Sequence, residues 1–418
     1  MKRKNCGLAV FFFFFPALLL AQNLYQVTVA AGDYDREDCP VFIPVSLPDN
    51  GTVSAYWHLY EKTHKGFIPV LCQQDHSPAS GIWFILSGTT PRHTRRTFLL
   101  KRETAKTADT AIMKIQKTFS SYVLERGSQK ILNYRFRIMA PPDGADPLCQ
   151  KSGYIHPLWS PSGEVLTRIQ PPDHPHHYGI WGPWTKTHIN GREVDFWNLG
   201  KGQGTVRYAG LLSLEEGPVF CALRVHQKHI DFGTNGPDRI AINEILEMRA
   251  WNVGPQAWLV DYTSTQNCPL PSGILLEAYR YGGGLGFRAT GHWNNKNSSV
   301  LTSEGKTRQD ADGSKARWCR ITGTMPSGEN GILFMDHPEN RDFPEPMRVW
   351  PGNANNGRGD LFFEFCPIRH KSWTIKKGKE YTLKYRMFIF HGKISREEAE
   401  RLWNDFAHPP VVETEKIK

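Results

Sequence analysis

The run Asp173-His174-Pro175-His176-His177 sets three imidazoles and a carboxylate inside five residues, and His156 stands upstream in the same stretch from Tyr154 to Trp184. Imidazole exchanges a proton, or binds a metal, near neutral pH without help. Pro171, Pro172 and Pro175 remove backbone donors and restrict the residues before them, so the run cannot be a regular helix. In an extended segment alternate side chains share a face, which predicts His174 and His176 on one side and His177 on the other. Two imidazoles beside a carboxylate suit a proton relay, or a divalent metal held by His174 and His176 with a third ligand from elsewhere in the fold. The bland alternative is a surface turn that tolerates its histidines.

Remote partners recur later in the chain. Glu277 precedes the glycine-rich run from Gly282 to Gly286, and Asp336-His337-Pro338 follows the apolar run GILFM. With His174, His176 and His177 as candidate bases, Glu277 and Asp336 are the candidate acids or further ligands. The glycines let backbone approach a ligand closely, or simply form a tight bend. Arg168 and Arg288, with Arg348, offer the paired donors that clamp a carboxylate or bridge sugar hydroxyls. Trp181 and Trp184, like Trp159 and Trp197, stack on a pyranose face or pack in the core. His156, His337 and His370 complete the candidate binding set, and Glu304 is a further acid. No GxSxG elbow, Walker loop, dinucleotide fingerprint or HExxH helix is present. Serine hydrolases, nucleotide-dependent enzymes and standard zinc peptidases therefore recede, and no nucleotide cofactor is expected.

The elements that must position these residues read as strands. In 418 residues the chain carries 13 Trp, 29 Pro and 37 Gly, the composition of a β-rich globular protein with many turns. Lys2, Arg3 and Lys4 precede an apolar run from Gly7 to Leu20 and a small Ala21, the pattern of a signal peptide over 1–21. A periplasmic or secreted protein, cleaved near Ala21 and without membrane insertion, is expected. From 22 to 142, short alternating runs at Tyr25 to Ala30, Val41 to Val45, Val53 to Tyr60, Gly81 to Leu86 and Arg96 to Lys101 predict a β-sandwich, closed by a hairpin turning at Gly127-Ser128. Pro141 to Pro147 marks a boundary.

From 148 to 408, longer runs at Val206 to Leu214, Phe220 to Ile230, Ile240 to Ala250, Ala257 to Gln266 and Ser272 to Tyr281 predict large stacked antiparallel sheets. One short helix is expected over Ser395 to Phe406, where Ser395 and Glu398 form a capping box. The tail over 409–418 reads as flexible. The seven cysteines after the leader include no CxxC pair, so they read as small buried apolar residues, with room for one or two bridges in an oxidising compartment. The net charge of +10 is spread along the chain, and neither charge pattern nor module points to nucleic acid.

The blocks GYIHPLWSPSGEVLTRIQPPDHPHHYGIW, VDFWNLG, LEAYRYGGGLGFR, GILFMDHPEN and YRMFIFHG, with SEG at Ser303 to Gly305, resemble a bacterial family labelled PmoA-like or methane oxygenase and of unknown function. A membrane oxygenase subunit would need several apolar spans, which this sequence lacks. The family is similar to galactose-mutarotase-like supersandwich proteins. That resemblance implies an all-β supersandwich with a sugar on its concave face and His and carboxylate groups as acid and base.

The expected function is then an exported carbohydrate-active enzyme that cleaves a glycoside or an oxidised keto sugar, as a lyase or a glycoside hydrolase. Its partners would be a carbohydrate substrate and other glycan-degrading enzymes. Histidine outweighs paired acid near the centre of the sequence, which leans the expectation toward elimination, since hydrolysis wants two opposed carboxylates. The rivals are a non-catalytic glycan-binding protein of a polysaccharide-utilisation system and an aldose mutarotase or epimerase.

Overall fold

A computed structural model describes residues 24–45, 56–76, 80–103, 112–234 and 236–417. The expected leader over 1–21 lies outside the described residues, as do residues 53–55 of one expected strand. The architecture is all-β with one α-helix, in two β-sandwiches of unequal size.

In the smaller sandwich, a five-stranded sheet in the order Val411–Ile417, Leu24–Ala30, Arg95–Glu103, Tyr56–Thr63, Gly66–Val70 faces a three-stranded sheet of Arg36–Ile43, Gly81–Thr90 and Cys72–Asp75. Side chains along a strand alternate between faces, and Val27, Val29, Leu59, Phe84, Phe98 and Leu100 meet in one buried cluster as that period requires. The tail expected to be flexible is a strand here. Val411–Ile417 pairs antiparallel with Leu24–Ala30 along its whole length, because an edge strand offers unpaired donors and acceptors to any extended segment that reaches it.

The larger sandwich stacks two eight-stranded sheets. One contains Gly204–Glu215, Phe220–Asp231, Arg239–Trp251, Ala257–Asn267 and Glu380–His391, strands of 11 to 13 residues paired antiparallel, with register shifts between Tyr208 and Gly210, Leu211 and Ser213, and His229 and Ile230. The other begins at Met113–Lys117, Ser121–Arg126 and Gln129–Arg135 and runs through Tyr154–Leu158, Ile180–Trp181 and Leu285–Arg288 to Phe362–Phe365 and Met347–Val349. Leu124, Leu132, Ile155 and Phe287 from this sheet share one apolar core with Val225, Met248, Val260 and Phe334 from its partner.

Three expectations need correction at this level. The hairpin around Gly127 was expected in the first sandwich, but its strands pair with Tyr154–Leu158 in the second, where Leu124 and Leu132 find their apolar partners. The chain therefore passes between sandwiches before Met113 rather than at Pro141 to Pro147. The strand expected over Ser272 to Tyr281 shrinks to Ile274–Leu276, in a small four-stranded sheet, and the rest runs on as irregular backbone. All seven described cysteines are free and six are buried, which fits their reading as apolar residues and not the bridges.

The helix, Arg396–Ala407, starts where the cap predicts, with the Ser395 hydroxyl accepting from the Glu398 N–H at 3.0 Å. Its apolar face, Ala399, Leu402 and Trp403, packs on Trp318, Leu333 and Met335. Among the described residues no helix is long and apolar enough to cross a membrane.

Candidate active site

The histidine run is not extended. Its ends are tied by the bridge between Ile169 and Tyr178 and by the Gln170 N–H, which donates to the His177 carbonyl at 2.8 Å. Two successive turns fill the span, closed by His174 N–H to Pro171 O at 2.9 Å and His177 N–H to His174 O at 3.0 Å. Pro172 and Pro175 each hold the second position of a turn, where a φ fixed near −65° is already correct. The alternation expected of a strand is thereby lost. All three rings gather, with centroids 5.6 Å apart for His174 and His176, 4.6 Å for His174 and His177, and 4.9 Å for His176 and His177.

Asp173 is the hinge of the electrostatics. Its Oδ2 receives His174 Nδ1 at 2.6 Å, Asn355 Nδ2 at 2.8 Å and Arg288 Nη2 at 3.5 Å. Burial raises the Asp173 carboxyl, but the His174 hydrogen bond and the Arg288 guanidinium outweigh it and leave the group below the usual carboxylate range. An ionised Asp173 fixes the proton of His174 on Nδ1 and leaves the Nε2 lone pair free, the arrangement of an oriented base. Arg288 is itself anchored on Asp360 at 2.7 Å, and Arg168 approaches the same carboxylate at 3.6 Å. Burial lowers His176 to about 4, helped by His174, and lowers His177 well below its ordinary value, so both rings are neutral near pH 7.

These rings line a cavity of about 230 Å³ together with Thr185, Trp197, Asn198, Tyr279, Arg280, Tyr281 and Trp350. None of these lining residues is an acid. The Tyr281 oxygen accepts from Arg348 Nη2 and Trp350 Nε1, both at 3.0 Å, so its own O–H proton is left to donate elsewhere. The glycine run explains how Tyr281 reaches this place. A Cβ at Gly283, where φ is +72°, would fall 1.8 Å from the Trp184 ring. The glycines thus admit Trp184 and not a ligand. Trp184 itself is buried, bonded through Nε1 to Gln266 at 2.9 Å, so it is a wedge behind the site and not a stacking surface.

Of the other candidates, Arg168, Arg288, Arg348, Trp181 and Trp197 join the histidines. Trp181 packs 5.2 Å from His177 but is 2% exposed, which makes it floor rather than sugar platform. Glu277 is bound by His188 Nε2 at 2.7 Å and Lys186 at 3.4 Å on the small sheet, and does not line the cavity. Asp336 is fully buried, accepting from Asn340 Nδ2 at 2.8 Å and the Glu345 N–H at 2.7 Å. Burial pushes it up to about 7, and it lies behind the helix with Trp403, so it is no acid for this cavity.

His337 packs on Phe406, His370 bonds the Gly313 carbonyl at 2.9 Å, and His156 bonds Thr167 at 2.8 Å, each away from the cavity lining. Among the described residues no group of three or more His, Cys, Asp or Glu side chains is arranged to hold a metal. The Nδ1 of His174, one of the two nitrogens a metal would use, is taken by Asp173. Sequence reasoning missed Asp360, Asn355, Tyr281 and Trp350. Of these only Tyr281, beside the glycine run, had a local signal.

The chain belongs to a family of unknown function, DUF6807, whose model matches residues 121–404. The PmoA-like likeness of the sequence blocks is a separate resemblance that this match does not carry. None of the curated proteins matches the sequence. Among solved structures, a mutant of the heparan sulfate lyase HepC from Pedobacter heparinus aligns at 9% identity and a TM-score of 0.35, over 69% of this chain and 38% of that one. A galactose mutarotase related enzyme from Lactobacillus acidophilus aligns at 10% and 0.32, over 67% and 97%. A GalM/aldose epimerase homologue from C. elegans aligns at 9% and 0.29, over 68% and 100%. At these scores the likenesses carry no argument about activity, which has to come from the site itself.

Proposed function

We propose that this chain is a carbohydrate-active enzyme that breaks a sugar C–O bond by elimination, with His174 as base and Tyr281 as acid. The observation that carries the reading is the Asp173–His174 hydrogen bond of 2.6 Å beside a cavity lined by imidazoles and aromatic rings without a carboxylate. Rings of this kind suit the apolar face of a sugar, and hydrolysis would instead want two opposed acids. In the step, His174 Nε2 removes a proton from a ring carbon next to a carbonyl. The freed electron pair forms a C=C bond, the C–O bond on the neighbouring carbon breaks, and the departing oxygen takes the Tyr281 proton. Arg348, 3.0 Å from the Tyr281 oxygen, stabilises the phenolate that remains.

One observation favours a second reading. At about 230 Å³ the cavity is smaller than the roughly 300–1,000 Å³ of ordinary ligand pockets, which suits a single ring and so an epimerase or mutarotase. Incubation of the purified protein with uronate-containing and keto-sugar oligosaccharides separates these. Elimination creates a double bond with ultraviolet absorbance, lost in His174→Ala. Conversion of a free sugar without new absorbance would replace elimination by epimerisation, and binding without turnover would make the chain a glycan-binding protein. Metal analysis checks the variant in which His174 and His176 hold a divalent ion. A stoichiometric ion lost on replacing both by alanine would overturn the metal-free step. Export is part of the proposal and rests on the leader pattern, with a mature N-terminus near Gln22 expected in protein recovered from the periplasm or the medium.

A further inference from the structure

Charge around the cavity does not balance. Three guanidiniums, from Arg168, Arg288 and Arg358, reach the two carboxylates Asp173 and Asp360, and a fourth, Arg308, bonds the Asp360 carbonyl beside them. Arg308 is buried, and its partners among the described residues are the carbonyls of Trp350, Pro351, Gly359 and Asp360 and the Ser298 hydroxyl, none of them charged. The neighbouring acids do not correct the surplus. Asp312 is shared by Arg348 and Arg369, Asp195 and Glu193 share Lys201, and Glu277 is met by Lys186. Burial pushes Glu364 well above the carboxylate range, which weakens it as a counter-charge.

A second observation is independent of that count. Arg288 is 1% exposed, yet its Nη1 has no hydrogen-bond partner. Leaving a charged donor buried and unpaired is unfavourable unless an acceptor arrives. The guanidinium lies 4.6 Å from the Trp350 ring, which lines the cavity and stands 4.9 Å from the His174 ring. Arg280 is exposed and lines the cavity directly. Positive charge held behind apolar rings acts through a low-dielectric wall and is weakly screened by salt.

We infer that the sugar this cavity takes is anionic: a uronate, or another ring bearing a carboxylate. This rests on the cavity being the sugar site, and it deepens the elimination reading, because a carboxylate acidifies the adjacent C–H and the surplus cations stabilise the charge that develops there.

The test uses free D-glucuronate and D-galacturonate against D-glucose and D-galactose, titrated calorimetrically into the wild-type protein at low ionic strength. Free uronates lack a glycosidic leaving group, so binding is read without turnover. Each acid binds about tenfold or more tightly than its neutral parent. Arg280→Gln, which removes a cation from the cavity lining, narrows that gap several-fold. Equal binding of acid and parent, weaker binding of the acid, or no binding of either overturns the inference. Preference for the acid without cleavage of any uronate oligosaccharide leaves this inference standing and removes the elimination. A double bond formed only in neutral glycans, with no preference for the acids, does the reverse.

Discussion

The tripeptide Asp-His-Pro occurs twice, at Asp173-His174-Pro175 and at Asp336-His337-Pro338, and the two copies end in opposite chemical states. At the first, two prolines precede the aspartate and the chain turns, so aspartate and histidine can meet, at 2.6 Å. At the second, Asp336 ends the strand Gly328–Asp336, and neighbours on an extended chain point to opposite sides. Asp336 therefore faces the core, among Asn340 and the Glu345 N–H, while His337 turns away against Phe406. The Arg288 guanidinium and the His174 ring hold Asp173 ionised, whereas burial lifts Asp336 to about 7. Chemistry at a given tripeptide is decided by the backbone shape around it.

The largest expected effect separates the two histidines. His174→Ala lowers the turnover rate about a thousandfold, the range a general base supplies, with the melting temperature unchanged. His337→Ala leaves turnover unchanged, and a loss there comparable to that at His174 would break the contrast. Tyr281→Phe keeps the ring and removes the donated proton. A fall of about a hundredfold in kcat with KM little altered is expected, since the proton matters only in the transition state.

What was legible in the sequence followed from period and type. Alternation in Phe220–Asp231 and Arg239–Trp251 gave the long strands, and Ser395 with Glu398 gave the helix start within a residue. The histidine run was visible as a site because residue type is local information. Its geometry was not, since turn and strand differ only in how Pro172 and Pro175 place the neighbouring dihedrals. Asp360 carries no local mark at all. It matters because Arg288, from a strand 72 positions earlier, reaches it. The same non-local pairing hid the strand at Val411–Ile417, whose partner Leu24–Ala30 lies at the other end of the described chain. Trp184 had two readings, sugar platform or core, because only the fold reveals that Gly283 leaves room for its ring inside.

The next effect is on stability and belongs to the second tripeptide. Asp336→Ala leaves the Glu345 N–H without its acceptor and takes one of the two bonds of the Asn340 amide, which keeps the Lys384 carbonyl, at a cost of about 1–3 kcal/mol read as a lower melting temperature. Activity per folded molecule stays at the wild-type level. The pH dependence has a fixed sign. The Asp336 carboxyl binds its proton more tightly folded, near pH 7, than at its ordinary value of 3.8. Its favourable contribution is thus complete below about pH 4 and lost as pH rises through about 7. Asp336→Asn, which mimics the protonated group, flattens that stretch of the wild-type stability curve, and an unchanged slope would count against a protonated Asp336.

The smallest effect sharpens the contrast from a third place. Glu277 has what Asp173 has, an imidazole at hydrogen-bond distance, 2.7 Å from His188 Nε2, and a nearby cation in Lys186. The hydrogen bond from His188 and the charge of Lys186 hold its carboxyl below the usual range, as at Asp173. It differs in exposure and in lying outside the cavity lining. If a carboxylate–imidazole pair were enough for catalysis, Glu277→Gln would cost as much as removing the base. If position at the cavity decides, Glu277→Gln stays within about twofold of wild type in kcat/KM, as an exposed ion pair removed from a surface should. Measured beside Asp173→Asn, which disturbs the tautomer of His174 itself, the pair of variants makes the same carboxylate-to-amide change at the cavity and away from it.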